Sequence, residues 1–315
     1  MATDMFARLR LRKFGTPAAL LLVCAGFALL SPDAFATAGN LVNITQQMSL
    51  LAIIALGATF VMVLGEFDLA VSAQASWAGI AMFLLLQGGA GVASAMLATL
   101  ATCAAFGAAS GLLVAIWAVP SFIATLSVGT IIGGFTFWAS GGATLLGAVP
   151  HGFRGLGRGD VAGVPTPTLW MAAMFLAGGF VLAQTEFGRR LYAIGGNREA
   201  ARLAGVPVRR DMVAAFVLSG VLSGLAGVLL AARLGSAHPT GGGGFLLQAY
   251  AAVFLGMTAF REGEPNVPGT LVGAAIIAAL ANGLTILNVP SFFQDMATGA
   301  IIIAAVLIRK LTRDG

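Results

Sequence analysis

The stretch TQQMSLLAIIALGATFVMVL, residues 45–64, carries no charged side chain and is long enough to cross a lipid bilayer. A spanning helix needs about 20 mainly apolar residues, whereas a membrane β-strand alternates apolar and polar residues over about 10. Similar runs recur along the 315-residue chain, which is 58% hydrophobic and only 9% charged. Soluble domains carry about 25% charged residues. The composition therefore predicts an integral membrane protein.

Ten apolar runs predict an all-α bundle of about ten transmembrane helices, forming a single transmembrane domain over residues 1–315. The runs are 15–31, 45–64, 69–86, 91–117, 121–139, 168–184, 212–232, 247–260, 268–286 and 292–308. The run at 247–260 is short, and we expect it to be tilted, broken or re-entrant. Glycines four residues apart, as in Gly107/Gly111, Gly129/Gly133 and Gly220/Gly224, predict close helix–helix contacts.

The basic residues predict the orientation of the bundle. With ten spans, 14 of the 17 Lys and Arg residues fall on one side. They are Arg8, Arg10, Arg12, Lys13, Arg189, Arg190, Arg198, Arg202, Arg209, Arg210, Arg261, Arg309, Lys310 and Arg313. By the positive-inside rule this side is cytoplasmic, with both termini and the basic segment 1–14. The same asymmetry accounts for the net charge of +5 without any nucleic-acid partner.

The first 36 residues allow two interpretations. A basic start, an apolar run and the small-residue site Ala34-Phe35-Ala36 are typical of a cleaved signal peptide. We favour a first helix that is retained. Cleavage would leave the later topology unchanged.

A four-residue repeat indicates internal symmetry. Val119-Pro120-Ser121-Phe122 recurs as Val289-Pro290-Ser291-Phe292, at the start of the fifth and tenth apolar runs. Because five spans separate the copies, they begin on opposite faces, as inverted repeats of transporters do. So short a match in a chain of such biased composition also arises by chance.

Polar residues within the apolar runs are candidates for a translocation path. A carboxylate at the bilayer centre costs about 2.5–3.5 kcal/mol, so Glu66 and Asp68 are expected at a helix break, in the interior or at the cytoplasmic mouth. No Lys or Arg lies in a span, so we expect no basic residue to pair with these two acids, which disfavours a proton-coupled carrier. The candidate path residues are Gln46, Gln47, Asp68, Gln74, Asn282, Thr285 and Asn288. Helix–helix hydrogen bonding is the alternative role for each amide and hydroxyl.

Enzyme chemistry and metal binding find no support in the sequence. Cys24 and Cys103 lie in separate apolar runs, and His151 and His238 have no Cys or His cluster nearby. ATP hydrolysis needs the phosphate-binding loop G-x-x-x-x-G-K-S/T, and neither Lys13 nor Lys310 is followed by Ser or Thr. The chain is therefore predicted to bind no cofactor and to catalyse no reaction.

The segment 185–211 is predicted to be a cytoplasmic loop that holds a short capped helix. Asn197 is suited to cap a helix over 198–204, and Glu199 lies near the positive end of its dipole. Gly205 suits a left-handed exit, and Pro207 stops the helix. Ala200, Leu203 and Ala204 share one face. An ordinary basic loop would explain the arginines but not the caps, so we expect a docking surface for a partner.

The stretch RRLYAIGGNREAARLAGVPV closely resembles the coupling segment of ribose-type sugar permeases of bacterial ABC importers. PSFIATL, GVPTPT, ARLGSAHPTGG and PGTLVGAAIIAALANGL are also similar to that family, in order from about residue 43. The resemblance implies a permease in the bacterial inner membrane, present as two copies or as a pair with a sister permease. It also implies two partners, a cytosolic ATP-hydrolysing subunit and a periplasmic sugar-binding protein. It implies that the coupling residues are Arg190, Gly195, Gly196, Asn197, Glu199, Ala200, Ala201, Arg202, Leu203 and Gly205.

One region departs from the family pattern. Where the family usually shows G-I-D-L-S-V-G-S, this chain has Glu66-Phe67-Asp68-Leu69-Ala70-Val71-Ser72-Ala73. Two glycines and two serines are replaced, so the turn is expected to differ, and the substrate does not follow from the family pattern. The resemblance implies uptake of a monosaccharide or polyol without naming it. A permease for branched-chain amino acids or nucleosides, an ion-coupled carrier and a membrane enzyme are the alternatives.

Overall fold

The computed structural model describes residues 2–260 and 263–313, and the side chains of residues 16–260 and 263–303. Arg261 and the side chains of the basic residues near both termini therefore lie outside the described part. The described residues form fourteen helices. These are α1 (Ala2–Leu30), α2 (Pro32–Phe35), α3 (Ala38–Val63), α4 (Val71–Gln87), α5 (Val92–Ala115), α6 (Ser121–Ser140), α7 (His151–Arg158), α8 (Thr166–Gln184), α9 (Glu186–Gly196), α10 (Arg198–Leu203), α11 (Val208–Leu234), α12 (Phe245–Gly256), α13 (Val267–Ile286) and α14 (Ser291–Arg313).

The predicted helical bundle is confirmed, and each of the ten apolar runs is helical. Among the described residues, six helices are long and apolar enough to cross a membrane: α3, α5, α6, α8, α11 and α13. Shorter apolar helices lie at Thr16–Leu30, Val71–Gln87, Phe245–Gly256 and Ser291–Ile303. A two-residue hairpin, β1 (Asp160–Val161) with β2 (Val164–Pro165), follows α7. The protein is thus a multi-pass membrane protein.

Two long helices form the centre of the bundle. In α3, 89% of the most apolar stretch is buried, and in α11 67%, against 28% in α6 and in α8. Helix α11 packs on α3, α4 and α5, while α3 packs also on α8, α12 and α13. The peripheral helices α6 and α8 expose large apolar side chains such as Trp138, Leu176 and Phe180, as a lipid-facing surface requires.

Glycines allow α5 and α11 to approach closely, as their spacing predicts. A Cβ atom at Gly107 would lie 2.4 Å from the carbonyl oxygen of Phe216, and one at Gly220 would lie 2.5 Å from that of Cys103. Both distances are too short for any side chain, so the two backbones are in direct contact. The prediction is wrong for Gly133, because a Cβ atom there would meet no atom within 4 Å.

Candidate coupling segment and translocation path

The segment 185–211 is more helical than predicted. Helix α9 occupies Glu186–Gly196, where the sequence had suggested a loop before residue 198. Thr185 caps it by accepting a hydrogen bond from the Gly188 N–H at 3.2 Å. Leu191 and Ile194 are buried on one face. The charges around them hid this amphipathic pattern, and Gly195 and Gly196 form the end of α9.

Helix α10 follows at once and has the predicted caps. The Oδ1 atom of Asn197 accepts a hydrogen bond from the Ala200 N–H at 2.9 Å, and the Asn197 N–H donates to Ala193 at the end of α9. Gly205 has φ +82°, the left-handed conformation expected just beyond the helix. One residue thus ends one helix and starts the next, which fixes the angle between them.

The two faces of α10 have different surroundings. Ala201 is buried against the bundle. Ala200, Leu203 and Ala204 point outward, and Leu203 is 77% exposed. A small capped helix therefore presents one apolar side chain, flanked by alanines, on the surface.

Ion pairs hold three of the arginines in this segment. Arg190 Nε donates to Asp211 at 2.6 Å and Nη2 donates at 3.3 Å, which ties α9 to the first turn of α11. This hydrogen bonding raises the pKa of Arg190. Within α10, Arg202 Nη2 lies 2.5 Å from Glu199 and lowers the pKa of that carboxyl through a hydrogen bond. Arg198 pairs with Glu66.

The two glycines before Asn197 meet different surroundings. A Cβ atom at Gly195 would lie 1.9 Å from the carbonyl oxygen of Val63, so the end of α9 rests directly on the end of α3. A Cβ atom at Gly196 would meet nothing within 4 Å. Gly195 is required by packing, whereas Gly196 faces open space.

Glu66 and Asp68 lie at a helix break, as predicted, between α3 and α4. Gly65 takes φ +80° there. The expectation that no basic residue pairs with these acids is wrong for Glu66, because Arg198 reaches it from 132 positions along the chain. Such a partner outside the spans leaves no trace in the local sequence.

Asp68 is fully buried and hydrogen-bonded on every side. Its Oδ2 accepts from Ser219 Oγ at 2.7 Å, and its Oδ1 accepts from the Ala70 N–H at 3.0 Å. Its backbone N–H donates to the Tyr250 hydroxyl at 2.7 Å, which in turn donates to the Asp68 carbonyl at 3.1 Å. Sequence reasoning missed Ser219 and Tyr250, although Tyr250 is one of only two tyrosines in the chain.

The other candidate path residues are scattered over α3, α4, α13 and the turn after α13. Asn282 is buried and exchanges two hydrogen bonds of 2.9 Å with Asn40, which is the helix–helix role. Gln74 is buried in α4, and neither atom of its amide has a partner in the described part of the chain. Exposed or half-buried positions are held by Gln46, Gln47, Thr285 and Asn288. Where side chains are described, no side-chain hydrogen bond joins the candidate residues to one another.

Known proteins resemble this chain over nearly its whole length. The family described as branched-chain amino acid transport system / permease component matches residues 40–306. The ribose import permease protein RbsC of Escherichia coli K12 is 39% identical over 293 residues, 92% of this chain and 91% of the relative. RbsC of Bacillus subtilis is 36% identical over 95% of this chain and 93% of its own. The D-allose transport system permease protein AlsC of Escherichia coli K12 is 34% identical, over 95% and 92%. The chain belongs to this family of transport-system permease components.

Proposed function

We propose that this chain is the transmembrane permease subunit of a bacterial ABC importer that takes up a monosaccharide or polyol. The similarity to import permeases named for ribose, allose and xylose supports the sugar, at 32–39% identity. The single observation that carries an ATPase partner is α10, a rigid capped helix with an exposed apolar face on a chain without a phosphate-binding loop. A separate cytosolic subunit hydrolyses the ATP, and this chain binds no cofactor.

Coupling residues surround α10 in two groups. Ala200 and Leu203 contact the ATPase directly, because their face is exposed. Arg190, Gly195, Gly196, Asn197, Glu199, Ala201, Arg202 and Gly205 shape or anchor the helix. Closure of the ATPase on ATP moves α10 and switches the bundle between outward- and inward-facing states. Because a ligand shifts an equilibrium only through differential affinity, the ATPase must contact α10 differently in the two states.

Ten spans arranged as an inverted repeat account for the packing. Helices α6 and α14 begin at Ser121 and Ser291, the serines of the two Val-Pro-Ser-Phe copies. Each copy follows a non-glycine residue in the left-handed region, Ala118 with φ 54° and Asn288 with φ 57°. Helix α3 of the first half packs on α12 and α13 of the second half, and α11 of the second half packs on α4 and α5 of the first half. A two-fold relation between the halves predicts this reciprocal packing.

The complete importer holds two permeases, as two copies or as a pair with a sister chain, in the inner membrane. A periplasmic binding protein delivers the sugar to the face opposite α10. Both termini and α9–α10 are cytoplasmic, on the side that collects most of the basic residues. Among the polar candidates, Gln46 and Gln47 are exposed or half-buried and can meet a polyol. The Thr285 hydroxyl already donates to Ala281 and accepts from Gln294, and Asn282 is held by Asn40.

Reconstitution tests the function. The purified chain, its ATPase and its binding protein are placed in proteoliposomes, and uptake of labelled ribose, xylose, leucine and adenosine is measured with and without ATP. We expect ATP-dependent uptake of a sugar. Uptake of leucine alone would favour the amino-acid permease that the family description names, and uptake without ATPase would refute coupling. Leu203→Glu should abolish co-purification of the ATPase, whereas Leu203→Met, of similar apolar volume, should retain it.

A further inference from the structure

The break between α3 and α4 connects α10 with the interior of the bundle through consecutive residues. Glu66 pairs with Arg198 of α10. The Phe67 ring lies 5.6 Å from that of Tyr250 in α12, centroid to centroid. The Asp68 carboxylate accepts a hydrogen bond from the hydroxyl of Ser219 in α11. One short segment therefore contacts the surface helix and two buried helices.

The same segment also supports the start of α6. The Phe67 N–H donates to Ser121 Oγ at 3.2 Å, and the Leu69 N–H donates to Thr125 Oγ1 at 3.0 Å. Ser121 and Thr125 are the first and fifth residues of α6. A displacement of residue 66 would thus be passed directly to the end of a peripheral helix.

We infer that the Glu66–Arg198 ion pair is the joint through which movement of α10 reaches the α3–α4 break and, from there, α6, α11 and α12. Glu66 is a positioning residue for transport. The inference rests on the proposed function, since it requires that α10 receive the movement of an ATPase. Glu66 stands where the family pattern has glycine, so this joint is a feature of this chain.

The burial of the two partners suits a joint that transmits force. The Glu66 side chain is 17% exposed and lies in the break between α3 and α4. The Arg198 side chain is 45% exposed and belongs to the first residue of α10. Ion pairs between partly exposed groups contribute little to stability. This pair therefore links two elements without locking the fold, and a change in α10 contacts is enough to alter it.

A double-mutant cycle in proteoliposomes tests the joint. Glu66→Gln, Arg198→Gln and the double variant are compared for sugar transported per ATP hydrolysed, with ATPase and binding protein present. We expect each single variant to lose roughly two- to fivefold in this ratio, the range for a partly exposed pair. The double variant should lose no more than either single variant, because the same contact is already gone.

The control is Arg209→Gln, which removes one positive charge from an exposed position of the same segment. It should keep the wild-type ratio. Additive losses in the double variant, or unchanged ratios in both single variants while the wild type transports sugar, would overturn the joint. Absence of ATP-driven uptake by the wild type would instead refute the proposed function. Size-exclusion profiles and thermal unfolding midpoints of all variants separate lost coupling from lost folding, because a variant that has lost only coupling keeps the wild-type profile and midpoint.

Discussion

Replacing Gly195 with alanine should loosen the coupling segment from the bundle. The new Cβ atom would lie 1.9 Å from the Val63 carbonyl oxygen, where Cβ atoms essentially never come closer than 3.0 Å. The end of α9 must therefore move by at least about 1.1 Å, since the obstacle is backbone and cannot rotate away. Overpacking of this kind costs about 1–3 kcal/mol. Because Asn197 follows two residues later, α10 should move as well.

Gly196→Ala is the matched control, because the same methyl group one residue later meets no atom within 4 Å. Thermal unfolding of the detergent-solubilised protein should show a lower midpoint for Gly195→Ala and an unchanged or higher one for Gly196→Ala, which loses a flexible glycine. Sugar transported per ATP should fall more for Gly195→Ala than for Gly196→Ala. Equal behaviour of the two variants would show that α9 does not rest on α3.

Two further contacts have measurable consequences. Arg190→Ala leaves the buried carboxylate of Asp211 unpaired and should destabilise the protein by about 2 kcal/mol. The double variant Arg190→Ala/Asp211→Ala should recover part of that loss. A double variant that loses as much stability as the two single variants together would contradict the pairing. Asn282→Ala should cost about 1–2 kcal/mol by leaving Asn40 Oδ1 without its donor, with the KM for sugar unchanged. A raised KM at normal thermal stability would instead return Asn282 to the translocation path.

Hydropathy and local capping rules predict much of this structure. The apolar runs anticipate every long helix, because each must satisfy its backbone within the span whatever its neighbours are. The caps of α10 depend on residues within a few positions, so Asn197 and Gly205 could be interpreted from sequence alone. Features that depend only on residues close together in the chain can therefore be predicted from the sequence.

Contacts between distant segments could not be predicted in the same way. Neither the pairing of Glu66 with Arg198 nor that of Asn40 with Asn282 follows from spacing, because each depends on how helices are arranged in three dimensions. The roles of Gly195 and Gly196 are indistinguishable in the sequence, and only the position of Val63 separates them. Helix α9 was hidden because only Gly188, Leu191 and Ile194 define its buried face, and they lie close to Glu186, Arg189 and Arg190 in the sequence.

The attachments of α9 and α10 explain how so short a helix can transmit force. A six-residue helix is unstable in isolation, so α10 has its shape only because of its caps and its contacts. Gly195 rests on α3, Arg190 is bound to α11, and Arg198 is bound to the α3–α4 break. Three attachments to three separate elements fix both the position and the tilt of a rigid body. A load on the exposed face of α10 is therefore shared by the two central helices and the break between α3 and α4, and loosening any one attachment changes the direction in which the load is transmitted.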